Sequence, residues 1–242
     1  MNWWSRFFKR ASARDHLVVL KEYSSYFNGL SKALQSRFLD RLDDFIRSTK
    51  FETEGGKAVK MEMQVIISAA FVQITFGLEE YTLKEYAHIF IAPAYYNYGR
   101  GSDLYRGDVN SGTKIVTMAW PAVEEGFLIP DDALNIAIHE FGHCLVLEYF
   151  SRPYLGRFFQ SEDWQKWAVV AEEKISLIRA GQNKVLRSYG GTNMMELFSV
   201  SLENFFERPH YFKQRLPDLF LGMSHLLKQD PTMKIQPIEF VS

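Results

Sequence analysis

From residue 133 the chain reads ALNIAIHEFGHCLVLEYF, an oily run that carries two histidines and a glutamate within five positions. His139 and His143 stand four residues apart, so on a helix both imidazoles project from one face, one turn from each other. At that spacing two imidazoles can grip a single zinc ion, and Glu140, beside the first, can face a water that the ion activates. Around them Ala137, Ile138, Phe141, Leu145 and Val146 are all apolar. Polar side chains are costly in such a setting unless something pairs with them. Two core histidines that merely hydrogen-bond are the ordinary alternative, but the pair together with the glutamate points to one Zn2+ per chain.

A catalytic zinc takes three protein ligands and keeps one position open. The remaining histidines, His16, His88, His210 and His225, lack a supporting pattern and read as surface or structural residues. The third ligand is then a downstream carboxylate, and the segment SYGGTNMMELFSVSLENFF offers two. Glu196 sits between Met195 and Leu197 in an apolar helical stretch, and Glu203 lies seven residues on, two turns along the same face. Spacing alone divides the role between them about evenly. Cys144 points a quarter-turn or more away from His143 and reads as a small core residue. A purely structural zinc site fits poorly, because such sites are closed and cysteine-rich.

The elements that must position these groups are mostly helical. Leu34, Phe38, Leu42, Phe45 and Ile46 recur at helical spacing with Ser31 as a cap, and ETEGGKAV then reads as a loop. Met61 to about Phe76 is apolar nearly all round, a buried helix that ends at Gly77. HIFIAPAYY and TKIVTMAW read as short strands, with the Gly-rich NYGRGSDLYRGDVNSG between them as loop or hairpin. Pro130, Asp131 and Asp132 predict the start of the helix that carries the histidines. Ser161 predicts the cap of a further helix that Gly181 ends, and another runs from about Asn193 to Phe206, closed by Pro209. Two helical stretches near 211–215 and 218–228 precede an extended tail. The expected class is α+β: a mainly helical domain with a small sheet next to the histidine-bearing helix. Residues 1–242 read as one domain, with residues 1–28 as an N-terminal arm.

Bulk properties narrow the partners. A formal charge of −1 gives no global pull toward nucleic acid or anionic lipid, so direct nucleic-acid binding is not expected. One cysteine cannot form an internal disulfide, and no signal peptide or transmembrane stretch is visible, which fits a cytoplasmic protein. Trp3, Trp4, Phe7 and Phe8 with Arg6, Lys9 and Arg10 could form a weak membrane-surface helix, or fold back onto the protein.

HEFGH followed by SYGGTNMMELF resembles the gluzincin-type catalytic domain of anthrax lethal factor. More of the chain is similar to the Mlc titration factor A family of bacterial zinc peptidases, in FETEGGKAVKMEMQVIISAAFVQITFGL, GTKIVTMAWPAVEEG, ALNIAIHEFGH and ELFSVSLENFFERP. The likeness runs over roughly residues 30 to 230. It implies a zincin-like fold and Glu196, not Glu203, as third metal ligand beside His139 and His143. It also gives Tyr189, otherwise a tyrosine in a Gly-rich turn, the part of hydrogen-bond donor to the oxyanion. Where lethal factor has an acidic residue one turn after its glutamate ligand, this chain has Val200, so support for the metal ligands must come from elsewhere, a backbone carbonyl or Glu203 among the choices.

The expected activity is metallopeptidase action with Glu140 as the base, and aminopeptidase action is one form it could take. Strand TKIVTMAW is where an extended peptide could add as a further strand, unless both its edges are already paired. The resemblance also implies a second role, sequestering a transcriptional repressor, with the metal site secondary.

Overall fold

A computed structural model describes residues 14–99, 103–151 and 158–233. The Trp/Phe-rich start, most of the N-terminal arm's first half, and the extended tail lie outside them.

Residues 14–23 are helical (α1), followed by α2 (Ser25–Gly29) and α3 (Lys32–Ser48), which Ser31 caps by accepting from the Leu34 N–H. The loop expected at ETEGGKAV begins as a strand instead: β1 (Lys50–Thr53) pairs in parallel with β2 (His88–Ala92), Lys50 opposite His88. Only then do Gly55 and Gly56, both at positive φ, turn the chain. β2 pairs in parallel with β4 (Ile115–Ala119), and β3 (Gly107–Asn110) runs antiparallel to β4, giving the order β1-β2-β4-β3. TKIVTMAW is therefore an internal strand with both neighbours in place, and the edge falls to β3. The Gly-rich segment, expected as loop or hairpin, joins two parallel strands, and its Gly107–Asn110 stretch is itself a strand that makes a hairpin with β4.

Four further helices follow, α4 (Met61–Thr75), α5 (Trp120–Leu128), α6 (Ile136–Ser151) and α7 (Ser161–Arg179), of which α5 and α6 pack on the sheet. They are followed by α8 (Met194–Glu207), α9 (Pro209–Arg215) and α10 (Pro217–Leu227). The architecture is thus mainly helical α+β. Gly77 ends α4 by contact, since a Cβ there would meet Lys228 O at 2.3 Å and Leu227 O at 2.4 Å. Pro130 does not open α6. Ala133 takes a left-handed conformation (φ 60°), so the chain turns through 131–135 before the helix starts at Ile136. Asn135 serves as its cap, accepting from Ile138 N through Oδ1 at 3.2 Å. Ser161 likewise is the first residue of α7 and not its cap, which falls at Gln160.

α6 is the axis of the molecule. On one side Phe141 meets Phe45 and Phe71 at ring distances of 5.8 and 5.1 Å, tying α6 to α3 and α4. On the other it lies along α8, where Gly142 permits the approach: a Cβ there would stand 2.6 Å from Ser199 Oγ. At the far end Glu148 is buried and its Oε1 accepts from the backbone N–H groups of Lys84, Glu85 and Tyr86. Among the described residues no helix is long and apolar enough to cross a membrane.

Candidate metal centre

α6 and α8 bring three side chains to one point. His139 Nε2 is 3.2 Å and His143 Nε2 is 3.5 Å from the same oxygen, Glu196 Oε2. One ligand atom from each of the three residues lies within 4.8 Å of the other two, and all three residues are buried. Ligands about 2.0–2.1 Å from a tetrahedral ion are about 3.3–3.4 Å apart, and both nitrogen–oxygen separations are close to that length. His139, His143 and Glu196 thus fit a divalent ion, and two imidazoles with one carboxylate are a donor set that zinc favours.

The opposite ring nitrogens are held by α8. Ser199 Oγ donates to the His139 carbonyl oxygen at 2.9 Å, which leaves its lone pair for the His143 Nδ1–H at 3.1 Å. Glu203 Oε2 lies 3.0 Å from His139 Nδ1 and is also paired with Arg187. These partners hold Nδ1 of each ring from behind and turn both Nε2 atoms toward Glu196, the nitrogens that would bind an ion. Glu203, the alternative third ligand, faces the back of His139 and not the cluster. Ser199 and Arg187 carry no signal in the sequence: a serine in an apolar helix and an arginine before a glycine-rich turn are both commonplace.

Glu140 sits at the same cleft. It is buried, and its Oε2 has no hydrogen-bond partner among the described residues. Burial, together with the charges of Asp108, Glu196 and Glu203 and against that of His139, pushes its carboxyl up to about 8. Burial would lower His139, but hydrogen bonds to Glu196 and Glu203 raise it to about 10, while burial and the His139 charge lower His143 to about 4. Glu196 is held below the usual range against its burial by the hydrogen bond from His139 and the two imidazole charges. Tyr189 lies in a single helical turn (Ser188–Gly191), 52% exposed, its ring centre 6.0 Å from that of His139. Burial of its hydroxyl end, the Glu196 charge and a hydrogen bond to Glu196 push its phenol up to about 12.

These groups line a cavity of about 520 Å³, whose far wall is β3 and the segment before it, Leu104 to Val109. Cys144 is buried and outside the cluster; so is His16, paired with Asp43, while His88, paired with Glu52, is half-buried and also outside it.

Fold and site define a class: a mainly helical α+β chain whose HExxH helix and a following helix form a buried His-His-Glu cluster that could hold a metal ion. The chain belongs to the family described as glucose-regulated metallo-peptidase M90, whose model matches residues 2–228. It is similar to the uncharacterized protein slr2042 of Synechocystis sp. (strain ATCC 27184 / PCC 6803 / Kazusa), 21% identical over 216 residues, covering 83% of this chain and 78% of that one. It is also similar to Mlc titration factor A of Salmonella arizonae, 24% identical over 127 residues. That second match spans half of each chain.

Proposed function

We propose that this chain is a zinc-dependent metallopeptidase of the gluzincin kind, a single peptidase domain over residues 1–242, with His139, His143 and Glu196 as the metal ligands. The reading rests on one observation: the Nε2 atoms of His139 and His143 lie 3.2 and 3.5 Å from one Glu196 oxygen, close to the edge length of a zinc tetrahedron. When bound, the ion supplies a Lewis acid that brings the pKa of a water toward neutrality and polarises the substrate carbonyl.

Glu140, whose Oε2 has no partner among the described residues, takes the proton from the attacking water and passes it to the leaving amine. Tyr189 donates to the carbonyl oxygen as charge builds on it, a kind of contact whose loss costs roughly a hundredfold or more in rate. Substrate lies along the free side of β3. The Ala119 N–H donates to Arg106 O at 2.8 Å, so in this antiparallel register Gly107 and Val109 turn their backbone groups away from β4, free to pair with an added strand. The lone buried Cys144 is consistent with a cytoplasmic setting.

The test is metal analysis with peptide hydrolysis measured before and after chelation. Glu140→Gln is expected to keep its ion and lose at least about a hundredfold in rate. Full activity in that variant would overturn the assignment.

The relative named Mlc titration factor A supports a second reading, in which the chain binds a transcriptional repressor and the metal site is secondary. Capture of such a repressor by Glu140→Gln, with no chelator-sensitive cleavage by the wild type, is the outcome that favours it.

A further inference from the structure

The segment that leads into β3 carries tyrosines that the proposed chemistry does not use. Tyr96 and Tyr105 pair backbone to backbone, Tyr105 N–H to Tyr96 O at 2.7 Å and Tyr96 N–H to Tyr105 O at 3.4 Å. Their rings stack at 6.0 Å, and Tyr98 packs on both, at 5.7 and 5.4 Å. The hydroxyls of Tyr96 and Tyr98 both donate to Asp108 Oδ1 at 2.6 Å, so an aspartate of the edge strand clamps the aromatic segment in place. Burial, and then the bond to Asp108, push both phenols up, that of Tyr98 to about 12, so both hydroxyls stay donors across the physiological range.

Two consequences follow for anything lying on β3. Arg106 faces β4, so Tyr105, its neighbour, faces the other way, and there the outer side of the strand is already taken by Tyr96. The free edge therefore begins at Gly107. Just beyond that limit Leu104 and Tyr105 line the same cavity as His139 and Glu140, and they are 60% and 43% exposed. Large apolar side chains on a clamped support, facing a reaction site, form a preorganised wall. The rest of the lining is charged and of both signs: Glu140, Glu196, Glu203, His139, His143 and Arg187 across the cavity. A bulky uncharged side chain gains contact on the wall, whereas a carboxylate there would lose hydration against apolar surface.

We propose that Leu104 and Tyr105, fixed by the Asp108 clamp on Tyr96 and Tyr98, form a specificity wall that selects a bulky apolar or aromatic residue on one fixed side of the bond to be cut. This deepens the peptidase reading and rests on it.

The experiment uses the full chain loaded with zinc and a set of peptides identical but for one position, scanned across the cut with Leu, Phe, Ser or Asp. Wild type is expected to prefer Leu or Phe over Ser by about tenfold or more in kcat/KM, at a single flanking position, and to reject Asp. The same order is expected in the binding of uncleaved peptides to Glu140→Gln, measured by calorimetry. Leu104→Ser with Tyr105→Ser should bring the Leu:Ser ratio toward one. Asp108→Ala, which releases the clamp and leaves the wall residues unchanged, should reduce the ratio in the same direction. Cleavage indifferent to both flanking residues, or a ratio that survives the double substitution, overturns the wall and leaves the peptidase reading standing. Zinc-loaded protein that cleaves none of the peptides overturns both.

Discussion

A Cβ on Gly107 would stand 2.8 Å from Glu140 Oε1 and 2.9 Å from Glu140 Cγ. It would also stand 2.9 Å from Ile136 Cγ1. The edge strand and the histidine-bearing helix thus approach so closely that the residue facing the glutamate has no room for a side chain. Gly107 also turns its backbone groups away from β4, so a substrate strand added there would meet the carboxylate at the same position.

Gly107→Ala tests that closeness. Something must give, and the movable group is the end of the Glu140 side chain, which the proposed mechanism needs in place. The expected result is a kcat about a hundredfold lower, with KM and bound zinc nearly unchanged, since misplacing a reacting group by about 1 Å is enough for such a loss. Steady-state kinetics beside metal analysis decide it. Unaltered kcat would show that the strand yields instead.

The supports behind the imidazoles carry a separate expectation. Ser199→Ala removes the acceptor that fixes the His143 tautomer, and Glu203→Gln removes the charge behind His139. Each should weaken zinc binding by about 10–100-fold, as loss of such partners typically does. Competition against a chelator of known affinity measures it, and affinities equal to wild type would mean that packing alone orients the rings.

Part of this arrangement is readable in the chain. HExxH is legible because two histidines four apart have only one geometry on a helix, and the buried helix at 61–75 because it is apolar on every side. Glu196 and Glu203 share a helix face, and spacing cannot say which side of an imidazole each will meet. The fold separates them: one carboxylate faces the Nε2 atoms and the other the His139 Nδ1. β3 is hidden because GDVN has a single β-branched residue and its pairing is made by β4. β4 looks like a substrate platform only until its partners on both sides are known. The start of α6 escapes the reading because Pro-Asp-Asp favours a helix locally, while Ala133 is turned left-handed where Leu134 N meets Asp132 and Glu207.

Helix contact at Gly142 gives a stability expectation. A methyl there would press on Ser199 Oγ at 2.6 Å and Leu202 Cδ1 at 2.9 Å, so α6 and α8 must part. Gly142→Ala is favourable for helix propensity by about 1 kcal/mol. Overpacking costs about 1–3 kcal/mol and should win, lowering Tm. Because Ser199 and Glu196 are on the displaced helix, zinc affinity should fall with it. A raised Tm would mean that the interface has slack.

Glu207, at the C-terminal end of α8, predicts how stability depends on pH. Burial pushes its carboxyl up to about 8, helped by the charges of Glu203 and Asp132 and opposed by bonds from Asn135 and Leu134 N–H. The helix terminus disfavours an anion as well. The folded chain keeps this proton until about pH 8, whereas the unfolded chain releases it near 4.5. Between those values the native state binds more protons, so this group's contribution is fully present below pH 4.5 and is lost as pH rises through 8. Glu207→Gln is neutral throughout and can still accept from Leu134. The variant should match wild type near pH 4.5 and exceed it in Tm by several degrees at pH 8.5, where each kcal/mol moves Tm by about 2–4 °C. Thermal melts across that range, with chelator present throughout to hold the metal centre constant, measure the difference. A gap that does not widen with pH would show that the Glu207 carboxyl is ionised in the folded protein all along.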